Sequence, residues 1–197
     1  MQSRYAKFLT GLAAAVIALP VLAHSGHHTS QMSSLVSGFA HPFTGLDHLL
    51  AMLAVGFAAA QMRRAIVPMA LAFISFMLAG GLAGLADINV PHVETGIALS
   101  VLVLGGVLMA APRIPLLAGA GLVAVFAVFH GHAHGAQMPL GISPVLYFAG
   151  FTAGTLGLHL AGYSVGRVLR EKSITWWPRL SGAGMAGVGV LMLLGIA

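Results

Sequence analysis

The sequence predicts an all-α fold, a polytopic membrane helical bundle of six transmembrane helices after a cleaved signal peptide. Three observations carry this. Of the 197 residues, 58% are hydrophobic and 7% charged, with a mean hydropathy of +0.96. A soluble domain is about one quarter charged, so a water-soluble fold is excluded. The apolar residues form continuous runs of span length, not the alternating segments of about ten residues that build a membrane β-barrel. Finally, the 26 glycines suit helices that pack backbone to backbone in lipid.

Taken in order, residues 1–23 have a basic start (Arg4, Lys7), an apolar run from Phe8 to Leu19, a helix-breaking Pro20 and a small-residue cleavage site ending at Ala23. That run is shorter than the ~20 residues a span needs, so it is read as a signal peptide. Residues 24–35 form an extracytoplasmic tail containing His24, His27 and His28, and residues 36–197 form the transmembrane domain. Its six apolar segments are 36–60, 66–86, 95–111, 115–134, 144–166 and 179–197. With the mature N-terminus outside, Arg63, Arg64, Arg113, Arg167, Arg170, Lys172 and Arg179 all fall on the inner side, as the positive-inside rule requires. The net charge of +5 is thus a topology signal scattered between spans, and no nucleic-acid-binding patch is present. Trp176 and Trp177 fit an inner interfacial belt. Gly80/Gly84, Gly150/Gly154, Gly162/Gly166 and Gly182/Ala186 are small residues four apart, read as packing positions.

Against this apolar background the histidines stand out. His41, Asp47 and His48 open the first span, where leaving them unpaired in hydrocarbon costs several kcal/mol. On a regular helix His41 and His48 share a face and Asp47 lies about 100° from His48. Pro42 and Gly45 allow a broken or re-entrant start that converges all three. In the fourth span His130 and His134 lie at i and i+4, the spacing of helical metal-binding pairs, whereas His132 points about 200° away from His130. Both groups fall in the outer half of the membrane, so His41, Asp47, His48, His130 and His134 form the candidate metal site. Without cysteine the donors are nitrogen with one carboxylate, a set suited to Ni²⁺, Co²⁺ or Zn²⁺. Weaker candidates are His159 as a second station or a structural histidine, His92 and Glu94 in an outer connection for cation capture or helix capping, and His24 and His27 in the tail.

The string His41, Pro42, Gly45, Asp47, His48, Leu50, Ala51 and Met52 meets the pattern HPxxGxDHxLAM, and Phe129, His130, Gly131, Ala133, His134 and Gly135 meet most of FHGxAHGxE. By these motifs the chain resembles the HupE/UreJ family of nickel and cobalt permeases, small bacterial inner-membrane proteins, over nearly all of its mature length. Val93 to Ile97 also resembles the family's third-span entrance. Gln137 departs from the second pattern, standing where the family has an acidic residue. The resemblance implies import of Ni²⁺ or Co²⁺ and a link to hydrogenase, urease or cobalamin assembly, with membrane lipid as the other partner and no prosthetic group. The sequence holds no phosphate-binding GxxxxGK[ST] loop for an ATPase. The residues also leave open an intramembrane zinc-dependent hydrolase and a metal-sensing or accessory subunit, since the same ligands serve either.

Overall fold

The computed structural model describes residues 30–62, 65–110 and 114–196. The expected signal peptide, tail histidines His24, His27 and His28, and Arg63, Arg64 and Arg113 lie outside the described residues. The chain forms α1 (Ser30–Ala40), a 3-10 turn (His41–Phe43), α2 (Leu46–Gln61), α3 (Ile66–Leu85), α4 (Val93–Ala110), α5 (Leu116–Ala136), α6 (Pro144–Glu171) and α7 (Trp176–Leu193).

The break between α1 and α2 follows from three residues. Pro42 has no N–H to continue the α1 ladder, and the chain tightens into the 3-10 turn. Thr44 then closes it, both its N–H and its hydroxyl donating to the His41 carbonyl at 3.0 and 2.7 Å. Gly45 is extended (φ −101°, ψ 130°) and caps α2. The two helices meet at 78°.

Close helix approach depends on glycine. α3 and α5 run in parallel, and a Cβ at Gly131 would strike the Met77 carbonyl while one at Gly135 would strike that of Gly81. In the same way α1 packs on the first half of α6 at Gly38 and Gly150, and α2 on its second half at Gly56 and Gly162. α4 and α7 run antiparallel, in contact at Gly105, Gly182 and Gly189. The four small-residue pairs of the sequence therefore all lie at helix interfaces. The core is built on the fully buried Met52, Val55, Phe73, Met77, Val101 and Phe151. Leu71, Leu117, Val145 and Leu160 are exposed on the outer faces of their helices, the pattern of a multi-pass membrane protein.

The expectation of six spans is corrected. Among the described residues four helices, α3 to α6, are long and apolar enough to cross a membrane, or five when the bent pair is counted as one. The first expected segment, 36–60, is broken inside by Pro42 and Gly45 and continuous with α1. The last, 179–197, is the 18-residue α7, whose first turn is Trp176, Trp177, Pro178 and Arg179. Those four residues dilute its hydropathy below that of the other four helices, and it ends at Leu193.

Candidate metal centre

The broken helix and the end of α5 bring the two polar groups of the sequence together. Asp47 and His48 are in the first turn of α2, next to the break, and His130 and His134 are on successive turns of α5. Gly131 and Gly135, each next to one of these histidines, hold that helix against the α3 backbone, leaving the imidazoles to face α2. His48, His130 and His134 are buried, with His130 fully enclosed.

The nearest pairing is local. His48 Nδ1 lies 2.9 Å from Asp47 Oδ1 and donates to it. A side chain at Gly45 would invade this pair, since a Cβ there would lie 2.6 Å from Asp47 Oδ1 and 3.1 Å from His48 Nδ1. The carboxylate fixes the proton of His48 on Nδ1, so Nε2 presents a lone pair. That Nε2 faces Nε2 of His134 in direct contact, and the two ring centroids are 4.3 Å apart. For a cation to be held by both nitrogens each must present a lone pair, the His134 proton then standing on Nδ1.

His130 stands on the other side of His48, ring centroids 4.6 Å apart and perpendicular. Donor atoms of Asp47, His48 and His130 all lie within 4.8 Å of one another. His41, placed by the 3-10 turn, lies over His134 at 4.6 Å and 6.4 Å from His48. Phe151 closes the wall, 4.4 Å from His134 and 6.0 Å from His41, with Tyr147 beside His41 at 5.9 Å. The outcome is four imidazoles and one carboxylate at a helix break with aromatic walls, a borderline donor set for a late divalent ion.

All five main candidates of the sequence thus meet. His41 and His48 come together across a break and not along one helical face, and Asp47 touches His48 despite its angular offset, because both lie in the first turn beside a residue without a side chain. The weaker candidates stand apart. His92 and Glu94 are exposed at the start of α4, where the His92 carbonyl accepts the helix's first hydrogen bond from Gly96 at 2.9 Å. His132 ties α5 to the α3–α4 connection through Nε2 and the Ile88 carbonyl, 2.8 Å apart. Gln137 is exposed at the C-cap of α5, three residues beyond His134. His159 is fully buried deeper in α6.

One participant was not singled out by sequence. Ser100, fully buried on α4, places its hydroxyl 2.9 Å from His130 Nε2 while donating to the Ile97 carbonyl at 2.6 Å. Accepting from His130 Nε2, it leaves Nδ1 as the lone-pair nitrogen, and that buried Nδ1 has no hydrogen-bond partner. The only signal for Ser100 was a hydroxyl within an apolar run.

No solved structure matches this chain. Residues 12–192 match the family described as HupE / UreJ protein. Protein HupE of Rhizobium leguminosarum bv. viciae is 38% identical over 193 residues, covering 98% of this chain and all of that protein. With the two His motifs gathered at one helix break and this match along almost its whole length, the chain belongs to the HupE/UreJ family.

Proposed function

We propose that the chain is an inner-membrane permease that imports a divalent transition-metal ion, Ni²⁺ foremost and Co²⁺ next, through the cluster of His41, Asp47, His48, His130 and His134. Members of the family are transporters and not enzymes, and the chain is a multi-pass membrane protein with a buried His/Asp cluster suited to a metal. The observation that carries the reading is the facing of His48 and His134 from two different helices, with Asp47 behind His48.

In this reading the mature N-terminus is periplasmic and residues 1–23 are removed. The tail histidines His24 and His27 collect ions outside, and the basic end of α6 (Arg167, Arg170) faces the cytoplasm. The ion exchanges water for imidazole nitrogen at the cluster. Asp47 supplies negative charge and fixes the His48 ring, and Ser100 fixes that of His130. An inside-negative potential favours inward movement of a divalent ion by about 4.6 kcal/mol per 100 mV, so ATP is not required. The imported ion would supply hydrogenase, urease or cobalamin assembly.

The test is uptake of radioactive nickel, with cobalt and zinc as competitors, in cells lacking their own nickel importers. Uptake by the intact chain that is lost in His48→Ala and His130→Ala, with protein levels unchanged, is the expected result. Normal membrane insertion with no uptake overturns it.

A further inference from the structure

The histidine cluster does not account for every buried polar group of the bundle. His159 and Thr155 lie four residues apart on α6, hence on one face, and both are completely buried. Neither ring nitrogen of His159 has a hydrogen-bond partner, nor has the Thr155 hydroxyl. A neutral imidazole presents one donor and one lone pair and a hydroxyl presents both functions, so a single turn of helix concentrates several unmet polar functions inside an apolar core. Packing alone would be served by an apolar side chain without that penalty.

Their position relative to the cluster is informative. Phe73 of α3 stands between the two, its ring centroid 6.3 Å from that of His130 and 5.1 Å from that of His159, the latter contact edge to face. His130 belongs to the cluster through its contact with His48, and its Nδ1 is itself unpartnered. Phe151, which packs on His134, precedes His159 by two helical turns, so His159 lies about 12 Å further along α6, towards the end that carries Arg167, Arg170 and Lys172. His130, Phe73 and His159 therefore form a file of rings leading from the cluster into the bundle.

We propose that His159 and Thr155 form a second cation station, separated from the histidine cluster by the ring of Phe73, which a divalent transition-metal ion occupies between leaving the cluster and leaving the protein. This rests on the permease reading above. The station offers one imidazole nitrogen and one hydroxyl oxygen, water completing the shell, so it holds the ion more weakly than the cluster does. A descending order of affinity is what onward movement needs. Phe73 supplies no lone pair; its π face tolerates a passing cation, and displacement of the ring connects the two stations.

The test uses the purified full-length chain. Co²⁺ is titrated in detergent and its visible d–d bands are followed, and nickel flux is measured in proteoliposomes under an inside-negative potential. The comparison is between wild type, His159→Leu and the near-isosteric Thr155→Val. His159→Leu is expected to lose one weak Co²⁺ equivalent, keep the tight one within twofold, and lower flux at least tenfold. Thr155→Val is expected to weaken the same equivalent at least threefold and to lower flux in step. Retention of both equivalents and of wild-type flux in His159→Leu overturns the station. If His159→Leu does not fold, Thr155→Val decides, and an unchanged weak equivalent overturns it. A wild-type protein that takes both equivalents but carries no nickel leaves the station standing and removes the permease reading. One that carries nickel with no equivalent dependent on His159 does the reverse.

Discussion

Gly45→Ala isolates the contribution of the Asp47–His48 pair without removing a donor atom. The backbone at Gly45 (φ −101°, ψ 130°) suits alanine, so the substitution brings no dihedral strain, and the change at the α2 cap costs less than about 1 kcal/mol. The added methyl, however, would lie 2.6 Å from Asp47 Oδ1. The carboxylate must retreat by about 0.8 Å to reach ordinary van der Waals distance. Along the line of the bond, that stretches the 2.9 Å contact with His48 Nδ1 to about 3.7 Å, outside hydrogen-bonding range. His48 then loses its fixed tautomer and orientation. Loss of a carboxylate behind a ligating histidine typically weakens metal binding about 10–100-fold, or about 1.4–2.8 kcal/mol. Calorimetric titration of the purified full-length protein with Ni²⁺ measures this, with a melting curve of the same sample reporting the fold. The expected result is a Kd raised at least tenfold with the melting temperature nearly unchanged. A Kd within twofold of wild type refutes the role given to Asp47.

Further outcomes follow from the same geometry. Ser100→Ala frees His130 Nε2, and at about 1 kcal/mol for the lost hydrogen bond it should weaken Ni²⁺ binding about fivefold by calorimetry. Gln137→Ala should leave Kd within twofold, because this side chain is exposed and stands outside the buried group of imidazoles. Gly131→Ala drives a methyl into the Met77 carbonyl and should lower stability by about 1–3 kcal/mol, read as a lower melting temperature and fewer folded molecules in detergent. Gly157→Ala meets open space and should be neutral or slightly stabilising in the same assay.

Much of the architecture was legible in the sequence because lipid imposes a simple rule: long apolar runs must be helices. The segments read as 66–86, 95–111, 115–134 and 144–166 correspond to α3, α4, α5 and α6, although α6 runs five residues further, to Glu171, where the exposed Arg167 donates to Glu171 at 2.7 Å. Hydropathy was a poor guide at the two ends of the domain. It does not register a helix break, so the window 36–60 ran across Pro42 and Gly45 even though these two residues themselves signalled a broken start, and it joined α7 to residues beyond its last turn. The cluster was legible because histidine and aspartate are conspicuous in apolar surroundings. Angular arithmetic along a regular helix could not place Asp47 against His48, since it lacks the break that Gly45 terminates. Ser100, Thr155 and Phe73 were illegible for another reason. A hydroxyl or an aromatic ring in a span is unremarkable until its neighbours are known, and those of Ser100 and Phe73 lie 30 or more residues away in the chain.

The reading of the cluster as the ion site is tested most directly by X-ray absorption spectroscopy of the full-length protein loaded with one equivalent of nickel. The expected spectrum shows at least three imidazole ligands, falling by one in His134→Ala. A shell of oxygen with at most one imidazole, unchanged by that substitution, would contradict it.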